Sequence, residues 1–146
     1  MAIADSTLAQ NTWTDVKATL VASSITTSIL SGSTTTSVSA NITGDFPDST
    51  ISKPQIVILP VFIDESDYKF GGSYGKRTIN VVIEVYARRS KEVDELADKV
   101  RESLKGNALD GLNLMGISED YAFTSPGDVK THLKTLTFSY ERESHA

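Results

Sequence analysis

The run from Thr78 to Leu104, TINVVIEVYARRSKEVDELADKVRESL, constrains this chain more than any other part of it. Ile79, Val81, Ile83 and Val85 alternate with Asn80, Val82, Glu84 and Tyr86, the period-2 pattern of a half-buried strand. Val93, Leu96, Ala97, Val100 and Leu104 then recur at helical spacing and form one apolar stripe. Ser90 stands at the N-cap position, Glu92 and Asp94 in the first turn, and Gly106 just past the last periodic residue. A strand that feeds straight into an amphipathic helix needs a sheet to join and a surface to receive the stripe. Nothing in the unit is chemically reactive.

Around this unit the rest of the chain divides readily. A first helix is expected at about Asn11 to Ser23, with Trp13, Val16, Leu20 and Val21 facing inward. From Ser23 to Ser52 the composition turns to Ser and Thr, which compete for backbone hydrogen bonds and disfavour helix interiors. Thr also favours strands, and Ile25, Ile29, Leu30, Val38 and Ile42 are spread through the tract. An extended hairpin or long loop is expected there, either a surface excursion or a finger that orders against a neighbouring subunit.

Gln55 to Ile63 reads as one apolar strand, at an edge or bulged near Pro60, because proline removes a ladder donor. Asp64, Glu65 and Asp67 follow as an acidic loop. Phe70 to Gly75 then reads as a turn that makes a hairpin with the Thr78 strand. After the second helix, Leu112 to Ile117 and Tyr121 to Phe123 read as short apolar pieces. Turns are expected at Asp110-Gly111 and at Ser125-Pro126-Gly127-Asp128. Leu136, Phe138 and Tyr140 alternate in a last strand from about Leu133, and Glu141 to Ala146 reads as a polar tail. The fold class is α+β: a single domain with a mainly antiparallel sheet of four or five strands and two helices packed on it.

At 146 residues, 39% hydrophobic and 23% charged, the chain has the make-up of one globular domain. Its net charge of -5 argues against a dedicated phosphate-binding surface, yet suits a wall past which DNA slides by repulsion. There is no cysteine, hence no disulfide or thiolate chemistry. No secretory signal or membrane helix is legible, so a cytoplasmic setting is expected.

Reactive constellations are few in the sequence. Gly71-Gly72-Ser73-Tyr74-Gly75-Lys76-Arg77 has the wrong glycine spacing for a phosphate loop, and Arg77 stands where a hydroxyl must bind magnesium. His132 and His145 are the two histidines, and neither has a serine elbow in support. Asp64, Glu65 and Asp67 lack the rest of a calcium loop, and no transition-metal set is present. No catalytic residue, cofactor or metal is expected. Two basic pairs, Lys76-Arg77 and Arg88-Arg89, bracket the central strand. They read either as charged strand ends that discourage aggregation or as partners of acidic residues on a neighbouring protomer.

The order of these pieces resembles the tail terminator (tail-completion, or head–tail joining) proteins of long-tailed phages and related viruses. The likeness lies in the N-terminal helix, the Pro-containing strand Lys53-Pro54-Gln55-Ile56-Val57-Ile58, the charged turn, the strand Val81 to Ala87, the helix Ser90 to Leu104 that follows directly, and the closing strand. It covers most of the chain and rests on hydrophobic patterns, not fixed polar residues. The resemblance implies a structural virion protein, assembled in the host cytoplasm. It implies a homo-hexameric ring that caps the tail tube, ends its polymerisation and joins tail to head. Partners would be the tail tube protein and a head-completion or connector protein, with DNA passing through the lumen unbound. Arg88, Arg89, Lys76, Arg77, Asp64, Glu65 and Asp67 are the candidate intersubunit contacts. The alternatives are another neck component, or a small α+β binding or enzymatic domain.

Overall fold

A computed structural model of the chain describes residues 8–31, 34–44, 54–67, 74–106, 109, 112–124 and 131–145. The turns expected at 70–73, 110–111 and 125–128, and the end of the Ser/Thr tract at 45–52, lie outside them. The elements run α1 (Leu8–Ala22), β1 (Thr26–Ser31), β2 (Thr34–Ser39), β3 (Asn41–Thr43), β4 (Gln55–Ile58), β5 (Phe62–Asp67), β6 (Tyr74–Ala87), α2 (Ser90–Gly106), β7 (Asn113–Thr124) and β8 (Thr131–His145). The class is α+β, with a mostly antiparallel sheet.

β6 organises the sheet. One of its edges pairs antiparallel with β8 along all fourteen residues, Tyr74 opposite His145 through to Ala87 opposite His132. The other edge is shared: β4 takes Ile83 to Tyr86 and β5 takes Gly75 to Asn80. β3 adds in parallel outside β4, and β7 adds antiparallel outside β8, giving the order β3-β4-β6-β8-β7 with β5 beside β6. β1 and β2 form a separate two-stranded hairpin.

Both helices cover one face of this sheet. Ile56 and Ile58 of β4, Ile79, Val81, Ile83 and Val85 of β6, and Leu136, Phe138 and Tyr140 of β8 share one core with the stripe of α2. Every predicted stripe residue is buried. Each large one contributes about 1.5–3 kcal/mol by leaving water, which fixes α2 to the sheet. α1 joins the same core through Leu8, Val16 and Leu20, and Ser23 Oγ meets Ser103 Oγ of α2 at 2.6 Å. The opposite face holds a small second cluster of Val57 and Tyr86, with Leu59 and Leu133 against it.

Several expectations need correction. α1 begins at Leu8, and its inward residues include Thr12, while Val21 is 56% exposed. Trp13 is half-buried, and its indole N–H donates to the Ile58 carbonyl at 3.0 Å. The apolar run from Gln55 is two strands, because the chain leaves the ladder around Pro60 before it re-forms. Asp64, Glu65 and Asp67 are strand β5, not a loop. The two apolar pieces after α2 are one strand, β7, with an irregularity between Leu114 and Gly116. Glu141 to His145 is no tail, since it extends β8 against Tyr74 to Thr78.

Candidate functional site

The candidate contact residues fall at the two ends of β6. At its start the ladder sets Arg77 between Glu65 of β5 and Arg142 of β8, and Lys76 between Ser66 and Glu143. Thr78 lies between Asp64 and Glu141, and Gly75 lies between Asp67 and Ser144. Opposite charges therefore stand at facing positions in Glu65–Arg77 and Lys76–Glu143, and like charges in Arg77–Arg142. The structure thus brings Lys76, Arg77, Asp64, Glu65 and Asp67 into one patch.

Arg88 and Arg89 stand at the far end, exposed, in the two-residue link between β6 and α2. Arg89 Nε lies 3.8 Å from Glu92 Oε2, whose side chain is only 7% exposed. Burial pushes the Glu92 carboxyl above its ordinary range. The charges of Arg89 and then Arg88 pull it back, Glu95 pushes it up, and His132 pulls it down. The arginines therefore have a partner within their own chain, one that the sequence-based reading assigned only to the helix start. Close by, the Tyr121 hydroxyl meets His132 Nδ1 across the β7–β8 ladder.

A third group went unread in the sequence. Glu119 of β7 contacts Arg101 of α2, which also pairs with Asp98 at 2.9 Å. Lys134 of β8 reaches Asp94 of α2 at 2.9 Å and Glu119 at 3.9 Å. This network ties the outer side of α2 to the β7 end of the sheet. The available signal was parity: Glu119 is two residues from Ile117, so both project from the helix-bearing side. Splitting β7 into two pieces hid it. Beside the network, a cleft of about 500 Å³ is lined by Arg101, Lys105, Leu114, Met115, Ile117 and Glu119, and Met115 is 63% exposed.

Lys99 stands four residues after Glu95 on α2, a spacing that on its own gives only a weak surface pair. It lies 3.6 Å from Glu95, and its ammonium also donates to the Thr26 carbonyl at 2.5 Å. It thereby ties the base of the β1–β2 hairpin to α2. Near α1, a groove of about 360 Å³ runs between Trp13, Gly44, Ile58, Pro60 and Val61. A Cβ built on Gly44 falls 2.8 Å from the Trp13 ring, so only glycine lets the chain pass that close. Among the described residues no group of three metal-ligating side chains converges. Among them, too, no helix is long and apolar enough to cross a membrane.

No family model matches the chain, and no curated protein matches it.

Proposed function

We propose that this chain is a structural protein of the virion neck and tail. Copies of it close into a ring that caps the tail tube, ends its polymerisation and presents a surface to the head. The observation that carries the reading is the β1–β2 hairpin, which among the described residues stands outside the main sheet and pairs with no strand of it. Its base is held to α2 by Lys99 and by buried Thr27, while the outer side of β2 has no partner strand among the described residues, and a neighbouring copy would supply one. The element order adds support, because an N-terminal helix, a proline-led strand, a long strand running into a helix and a closing strand stand in the order that the family resemblance implies.

The ring gives the molecule's charges a use. The acidic and basic positions gathered at the start of β6 suit charged contacts between protomers that are reversible. The net charge of -5 keeps a lumen wall from holding DNA by its phosphates. Assembly takes place in the host cytoplasm, and the tube protein and a connector protein are the partners. The test is to mix the purified protein with growing tail tubes and image them. Six-fold rings at tube ends, with tubes of limited length, are expected. Tubes that lengthen without restraint and carry no density at their ends would contradict the proposal.

A further inference from the structure

Among the described residues, two of the longer runs of strand have a side with no strand paired to it: β7 and the β1–β2 hairpin. β7 is the last strand of the sheet, twelve residues long, and among the described residues only its β8 side is paired. Long edge strands are normally protected by charged side chains, lysine above all, by proline or by bulges. The single irregularity in β7 lies near its start, between Leu114 and Gly116, and the run from Gly116 to Thr124 contains no Lys, Arg or Pro; its two charges are Asp120 and Glu119, the latter drawn toward α2 and β8 by Arg101 and Lys134. Two of the four large apolar side chains exposed among the described residues, Met115 and Tyr121, belong to this strand.

The second part is the β1–β2 hairpin. Its strands are six residues each, in register from Thr26 opposite Ser39 to Ser31 opposite Thr34. The segment 26–39 has no charged residue and no proline, and it is rich in the strand formers Thr, Ile and Val. It therefore has none of the features that keep a strand from recruiting another. Lys99 and the neighbouring turns of α2 hold β1 at the base, which leaves β2 as the outer strand.

Within one chain the two parts are kept apart. β2 runs through Ala40 directly into β3, the outermost strand at the other end of the sheet. Four strand spacings, about 19 Å, separate β3 from β7. We infer that β2 of one copy adds as a further strand to the free edge of β7 of the next copy, joining protomers head to tail through backbone hydrogen bonds. The two surfaces differ, so the contact is heterologous and propagates until the rotation closes a ring. Backbone pairing explains why a segment so poor in anchoring side chains can serve as the connector. The inference rests on the ring reading above and adds which two surfaces meet.

The experiment compares the native chain with a variant in which residues 28–37 are replaced by Asn-Gly. Thr27 and Val38 are register partners, so a two-residue turn closes the shortened hairpin while buried Ile25 and Thr27 stay in place. Light scattering reads assembly, and amide exchange reads β7. The native protein should assemble, with alternate amides between Gly116 and Thr124 slowing at least tenfold. The variant should stay folded, remain monomeric and keep those amides fast. Assembly of the variant as well as the native chain would overturn the pairing and leave the ring reading standing. A monomeric variant beside native β7 amides that assembly does not slow would overturn it too, since the hairpin would then seat elsewhere. A native chain that never assembles would overturn both. If the variant does not fold, the exchange of native β7 decides alone.

Discussion

Tyr140 lies in the core, 1% exposed, and its hydroxyl has no hydrogen-bond partner among the described residues. Burial, with a smaller push from Asp15, raises its pKa to about 12. The neutral form is thus the one the fold accommodates. The stability it allows is intact below pH 10, the ordinary tyrosine value, and is lost as pH rises through about 12. Tyr140→Phe removes an unsatisfied buried group. It should stabilise the protein by about 1 kcal/mol at pH 7 and lessen the alkaline loss. Thermal melts at pH 7 and at pH 11 check this, and a variant clearly less stable at pH 7 would show that the hydroxyl is satisfied after all.

Glu92 gives the second prediction at this scale. Its carboxyl is raised, so ionising it opposes folding: that stability is full below the ordinary carboxylate pKa and falls as pH rises through the raised value. Glu92→Gln should raise the melting temperature at pH 7, and the gap should close in acid. Reversing Arg88 and Arg89 to Glu would remove the two largest of the charges that hold Glu92 down, and should destabilise the chain unless Glu92→Gln is also present. In that background, native-like folding with lost assembly would assign the arginines to an interprotomer contact. Unchanged assembly would confine them to serving Glu92.

At the scale of elements, α2 is the piece whose loss the fold cannot absorb. Leu96 is fully buried between the helix and the sheet. Leu96→Asp places an unpaired carboxylate there, at a cost of several kcal/mol, and should give unfolded or insoluble protein. A native circular dichroism spectrum and melting temperature would contradict the packing described. β6 and α2 were legible in the sequence because each buries one full face, and burial writes a period into the residues. β7 was not, because it is an outer strand, with Gly116, Ser118, Asp120 and Ala122 opposite Ile117, Glu119 and Tyr121, and an irregularity at its start. The end of β8 was missed for a related reason: Glu141 to His145 pairs with the charged start of β6, where polarity signals a tail and the ladder makes a strand. Asp64, Glu65 and Asp67 misled in the same way. Of the candidate site, the residues were legible but their partners were not, since Arg89 with Glu92 and Arg101 with Glu119 depend on how the helix sits.

For the molecule as a whole, one face of the sheet is covered by α1 and α2, one edge ends in β7, and a hairpin stands outside the sheet. If copies of the chain associate as proposed, the assembly shows in its mass. The central claim is that copies of this chain close into a ring, and the direct measurement is light scattering on the purified protein across concentration and salt. The account predicts a species of six times the 15.8 kDa of one chain, uniform in mass, that weakens as salt screens its charged contacts. A protein that stays at the mass of one chain at every concentration and salt, alone and with tail tubes present, would contradict it.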